Sequence, residues 1–214
     1  PLLKDRDPHA RSGAIIALGK LGTPELAPEL IKILQDPNPA FGAIAANALA
    51  DLGVRESAGE ILKLFEKGWH PPPLLQSVSR LGIRETIPGI VHALGSRGPH
   101  GRDSDRDAAV DALVLLDARE AAPDLLKFLG HESSWVRADA ARVLGMLKVK
   151  GATAPLLKLL GDRSDDVRRD AIRALARLEA REAIPEIQER LDDLEGRVRA
   201  SAAEALADLG VTEA

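Results

Sequence analysis

The chain has no cysteine and no tyrosine, a single methionine, two tryptophans and three phenylalanines in 214 residues. Without thiols there is no disulfide framework, no thiolate zinc site and no cysteine nucleophile. No apolar run approaches the length of about 18 residues that a membrane span needs, and no signal peptide opens the chain. A net charge of −4 exerts no global pull on nucleic acid or anionic lipid. No nucleophile–His–acid motif, phosphate loop or dinucleotide fingerprint is found. These absences point to an all-α protein acting without catalysis, metal or cofactor, in the cytoplasm.

What fills the core instead is aliphatic: 34 Ala and 33 Leu make up nearly a third of the chain. These are the strongest helix formers, and a β-sandwich or barrel would want more Thr and aromatics. The chain also repeats itself. A Leu ends a helical run at positions 21, 52, 81, 116, 147, 178 and 209, at gaps of 31, 29, 35, 31, 31 and 31. Three residues earlier stand Leu18, Leu49, Val78, Leu113, Leu144, Leu175 and Leu206. Seven residues earlier stand Ala14, Ala45, Leu74, Ala109, Ala140, Ala171 and Ala202. Offsets of 3, 7 and 11 trace one face of an α-helix. The small Ala within that stripe is expected to let a neighbouring helix come close.

A second helix follows each marker, patterned as in Glu120-Ala-Ala-Pro-Asp-Leu-Leu-Lys-Phe-Leu129. Pro28, Pro88, Pro123, Pro155 and Pro185 fall in its first turn, where a missing N–H costs nothing. Each repeat is therefore a helical hairpin that cannot bury its own apolar face, so neighbours must stack. Repeats start near residues 5, 36, 66, 95, 131, 162 and 193.

The hairpin length, the Val-Arg opening of the first helix and the Pro of the second resemble HEAT repeats of the short, phycobilisome-lyase-like type. The likeness is sharpest over Gly161-Asp-Arg-Ser-Asp-Asp-Val-Arg-Arg-Asp-Ala-Ile-Arg-Ala-Leu-Ala-Arg-Leu178. It implies a right-handed α-solenoid of about six and a half hairpins, each roughly 31 residues long. It also implies a ladder of hydrogen bonds between an Asp of the inter-repeat turn and an Arg of the next helix. The matching pairs, six residues apart, are Asp5/Arg11, Asp162/Arg168 and Asp193/Arg199. His131 takes the Asp slot before Arg137, and Gly42 takes the Arg slot after Asp36, so the ladder is expected to be weakest there.

Pro1-Leu-Leu-Lys matches the body of a second helix and the last first-type helix has no partner after it. Residues 1–214 are thus expected to form one repeat domain, a segment of a longer solenoid. Its ends would stack on flanking repeats or on another chain. Two irregular turns, residues 65–73 and 95–106, break the rhythm and are expected to lie side by side on one edge.

Several chemistries were weighed at particular residues. Four histidines, His9, His70, His100 and His131, are expected in inter-repeat turns, but their spacing matches no ligand motif. HEAT-type di-iron hydroxylases carry His-Glu pairs at the start of first helices; here those positions are Ala138-Asp139, Arg169-Asp170 and Ala200-Ser201. A basic row recurs on the second helices at Lys32, Lys63, His92, Lys127 and Lys158. It could meet phosphates or an acidic partner on the concave face, yet Glu29, Glu60 and Asp124 stand three residues before three of the lysines. The expected role is a protein–protein scaffold, with a chromophore-lyase-like or chaperone-like subunit and a DNA-binding repair protein as alternatives; nucleic acid and membrane insertion are not expected. Trp69, in the irregular turn beside His70, is the expected interface anchor, whereas Trp135 is expected to pack against a neighbouring turn.

Overall fold

Proline and short polar side chains start the helices. Asp7 accepts the N–H of His9 and Asn38 that of Ala40, each just ahead of a proline at the first helical position. The computed structural model describes residues 2–68, 70–96 and 103–211, apart from the side chains of Pro24 and residues 103–105. The described residues hold thirteen α-helices and no strand.

They divide into two compact units, residues 1–116 and 117–214. The first contains α1 (Pro8–Leu21), α2 (Ala27–Ile33), α3 (Pro39–Asp51), α4 (Ala58–Phe65), α5 (Pro72–Leu81), α6 (Ile87–Gly95) and α7 (Asp103–Leu115). In the second are α8 (Ala122–Phe128), α9 (Ser134–Met146), α10 (Thr153–Leu159), α11 (Asp165–Arg177), α12 (Ile184–Glu189) and α13 (Gly196–Asp208). First helices pack side by side, α1 on α3 on α5 on α7 in one unit and α9 on α11 on α13 in the other. Each second helix leans on the first helix of the following hairpin. Second helices are shorter than the sequence pattern suggests, because residues such as Glu120-Ala121 and Glu182-Ala183 form a 3-10 turn ahead of them.

The apolar stripe is the core. Leu49, Val78, Leu113, Leu144, Leu175 and Leu206 are all buried, as are Ala45, Ala140, Ala171 and Ala202. Closest approach falls elsewhere than expected, between a glycine two residues before the marker and an alanine four before the next. Gly19 lies against Ala48 and Gly145 against Ala174, where an added Cβ would meet the Ala174 Cα at 2.6 Å. The marker Leu21 is 67% exposed, whereas Leu116, Leu147, Leu178 and Leu209 are buried.

Each marker is followed by a residue with positive φ that reverses the chain. Glycine serves at positions 22, 53, 82 and 210, but Asp117, Lys148 and Glu179 hold φ of 47°, 53° and 57°. The N–H two residues past the marker then closes the turn, as Ala180 does on the Leu175 carbonyl at 3.1 Å. Left-handed backbone costs an L-residue about 1 kcal/mol. Glu179→Gly should therefore raise stability by roughly 0.5–1 kcal/mol in urea unfolding, once the extra chain entropy of glycine is subtracted. The Lys148–Glu179 ion pair lost with it spans 3.7 Å between two exposed side chains and contributes little.

Candidate partner-binding surface

The ladder is built on a different register from the one expected. Arg168 places Nε and Nη2 on the two carboxylate oxygens of Asp193, at 2.8 and 2.7 Å, 25 residues further on. Its Nη1 turns back to the carbonyl of Asp162, six residues earlier, at 2.9 Å. Arg137 repeats this, with a two-pronged bond to Asp162 and a third to the His131 carbonyl. Arg11 reaches Asp36 and lies over the Phe41 ring, its guanidinium carbon 4.3 Å from the centroid. The six-residue partners, Asp5/Arg11, Asp162/Arg168 and Asp193/Arg199, are thus not carboxylate pairs. Where the shorter interval is bonded, the Arg takes the backbone carbonyl of the turn. Each turn carboxylate instead accepts the N–H two residues on, as Asp162 does from Ser164 and Asp193 from Glu195.

This arrangement explains why His131 does not weaken Arg137: the guanidinium needs only the carbonyl at that position, while His131 Nδ1 accepts the Ser133 N–H as an Asp would. Gly42 supplies no guanidinium, and its bare Cα admits Leu64 and the Leu34 carbonyl. The Arg168 fork holds the Asp193 carboxyl below its ordinary value, against the opposing effect of burial. Burial acts most strongly on Asp162, but the Arg137 fork and the Ser164 N–H outweigh it, so this carboxyl too is lowered.

Trp69, the expected anchor, lies outside the described residues, as do His100 and most of the second irregular turn, so their expected juxtaposition lies outside them too. His70 is engaged by the fold. Its ring stacks on Phe65 with centroids 4.0 Å apart, and Nε2 lies 3.0 Å from the Phe65 carbonyl. Gly89 makes room for that phenylalanine, since a Cβ there would meet Cε1 at 2.5 Å. Burial lowers the His70 pKa, the Phe65 carbonyl opposes this, and His92 adds a small push in the lowering direction. His9 lies inside the first turn of α1 rather than in an inter-repeat turn. No group of three or more potential metal ligands occurs among the described residues.

The second-helix row is exposed throughout: Lys32, Lys63 and His92 in the first unit, Lys127 and Lys158 in the second. Three of its lysines hold the acid three residues earlier, Lys32 on Glu29 at 2.8 Å, Lys63 on Glu60 at 2.7 Å and Lys127 on Asp124 at 2.8 Å. Lys158 has Pro155 at that place and His92 has Gly89.

Sequence reasoning missed two features. Trp135 is 55% exposed on α9, not packed under a neighbouring turn. A shallow groove of about 200 Å³ between α11 and α13 is lined by Arg173, Arg177, Ser201, Glu204 and Asp208, with the Ser201 hydroxyl buried and without a hydrogen-bond partner among the described residues. Its charges offset one another, Arg173 standing 3.9 Å from Glu204.

Stacked helical hairpins with a turn-to-turn Arg–Asp ladder define an α-helical repeat array. The family model for HEAT repeats matches residues 1–72, 87–176 and 153–214, and the chain belongs to that family. No curated protein matches it significantly by sequence. Among solved structures it is similar to the E. coli YibA protein, at 18% identity over 98% of this chain and 79% of that one, with a TM-score of 0.62. It is also similar to the complex of CpcE and CpcF of phycocyanin lyase from Nostoc sp., at 22% identity over 97% and 92%, with a TM-score of 0.54. Human deoxyhypusine hydroxylase aligns at 22% identity over 97% and 81%, with a TM-score of 0.46. No helix among the described residues is long and apolar enough to cross a membrane.

Proposed function

We propose that the chain is a non-enzymatic scaffold, acting as one repeat domain in the cytoplasm, that binds an acidic segment of a protein partner along its second helices. The observation that carries this is the recurrence of an exposed cation at one position of successive hairpins, Lys32, Lys63, His92, Lys127 and Lys158. The i,i+3 pairs hold three of these lysines in a fixed geometry yet contribute only about 0–1 kcal/mol each. A partner carboxylate can replace the chain's own at little cost. Family membership supports a binding role, and the match over residues 87–176 bridges the two compact units.

The alternatives lack residues to carry them. Likeness to lyase subunits at this identity concerns the fold, and no side chain on the second helices offers a thiol-reactive chromophore a covalent anchor. Duplex DNA would meet acid–lysine pairs rather than bare lysines, and few aromatics.

Cross-linking and mass spectrometry on native extract checks the proposal. Lys63→Glu/Lys127→Glu should lose the cross-linked partner while Glu25→Gln keeps it, and Trp69→Ala reports separately on the irregular turn. Partners retained by both the charge-reversed and the Trp69→Ala chains mean the surface lies elsewhere. Salt-sensitive binding of duplex DNA at low ionic strength would favour the nucleic-acid reading instead.

A further inference from the structure

The ladder has one open end at each terminus of the array. Arg199 donates Nη1 to the carbonyls of Asp193 and Leu194, at 2.7 and 3.0 Å, just as Arg168 does to the preceding turn. Arg168 uses Nε and Nη2 for the next aspartate; for Arg199 those two groups find no acceptor among the described residues. At the other end, Asp5 is exposed and accepts the Asp7 N–H at 2.9 Å, as Asp162 accepts that of Ser164. No guanidinium among the described residues reaches Asp5. One end thus presents a fork without a carboxylate and the other a carboxylate without a fork.

A second, apolar register agrees with the ionic one. Between neighbouring first helices, a small residue eight positions after the ladder Arg faces an Ala twelve positions after the ladder Asp: Gly145 of the Arg137 helix meets Ala174 of the Asp162 repeat. Counting the same way, Ala207 follows Arg199 and Ala17 follows Asp5, and both are exposed. Beside Asp5, Leu2 and Leu21 are 58% and 67% exposed, although their repeat counterparts Ile33 and Leu178 are 8% and 6% exposed. The Asp5 end therefore leaves uncovered the apolar positions that inner repeats bury against a preceding hairpin.

We infer that the chain stacks head to tail on a second copy of itself, with Arg199 of one copy forking onto Asp5 of the next and α13 packing along α1. The contact is heterologous, so each copy keeps one open end and the association grows with concentration. It is independent of what the second helices bind.

Sedimentation velocity of the 214-residue chain from micromolar to near-millimolar concentration tests this. The wild type should shift from monomer to dimers and longer species as concentration rises. Arg199→Glu should weaken association by at least about tenfold, since it removes one partner of a desolvated charge pair. Asp5→Asn should do the same while keeping the Asp7 cap, which separates the contact from any folding defect at Arg199. Mixing Arg199→Asp with Asp5→Arg leaves one productive junction and should give a one-to-one dimer and nothing larger. A wild type that stays monomeric throughout overturns the inference, the Arg199 fork then being left to some other hairpin. So does association that survives both single variants, or a mixture that does not dimerise.

Discussion

Gly145→Val is expected to destabilise the chain by about 3 kcal/mol or more, with Gly145→Ala already destabilising. An alanine in place of glycine inside a helix ordinarily stabilises by up to about 1 kcal/mol. At Gly145 the new Cβ would lie 2.6 Å from the Ala174 Cα and 2.7 Å from its Cβ, so α9 and α11 must separate. The obstacle is backbone, which cannot swing aside as the end of a flexible side chain would. Separation then loosens the contacts around Leu144 and Leu175, both fully buried. Gly13 supplies the control: it lies inside α1 with nothing within 4 Å of an added Cβ. Gly13→Ala should therefore stabilise by up to about 1 kcal/mol. Urea unfolding of the two alanine variants, side by side, should give shifts of opposite sign; equal stabilisation at both sites would mean the inter-helix contact is looser than these distances.

That glycine shows how the fold could and could not be read from residues alone. The stripe at offsets of 3 and 7 from each marker was legible because helical periodicity and burial are the same fact. Leu18-Gly-Lys-Leu21 and Leu144-Gly-Met-Leu147 were equally visible, but a lone glycine does not state which neighbour it admits. Closest approach depends on how adjacent helices cross, which only the paired positions Gly19/Ala48 and Gly145/Ala174 reveal. Likewise Asp117, Lys148 and Glu179 stand where other repeats use glycine, and nothing in their chemistry announces a positive φ.

The surface was less legible than the core, for a physical reason. Lys32, Lys63 and Lys127 and their acids sit three residues apart, so local helix geometry fixes their pairing. Long-range contacts carry no such constraint. A repeat of 31 residues contains both the six-residue and the 25-residue interval, and spacing alone does not say which Asp an Arg will choose. Trp135 illustrates the same limit: one residue before buried Val136, it projects outward on the far side of the helix and is 55% exposed.

Arg168→Leu should lower stability by about 3 kcal/mol at neutral pH, because the guanidinium is shared among four acceptors and its loss strands a charge. Asp193 is 5% exposed at its side chain and Arg168 13%, so water replaces little of what is removed. Arg168→Lys should recover only part of the loss, since one ammonium cannot span both carboxylate oxygens while also reaching the carbonyls of Asp162 and Arg163. The pH dependence has a definite sign. The Arg168 fork lowers Asp193, and the Arg137 fork lowers Asp162 against the cost of burial, so the unfolded chain binds protons first. Their contribution is complete above the ordinary Asp value of about 4 and is lost as the pH falls through the lower, folded values. In Arg168→Leu, Asp193 loses that depression, and the deficit relative to wild type should shrink below about pH 4, where the stranded carboxylate takes up a proton. Urea unfolding at neutral pH and in acid measures both terms. A deficit that stays constant across that range would mean Arg168 contributes by packing its aliphatic stem rather than by pairing with Asp193.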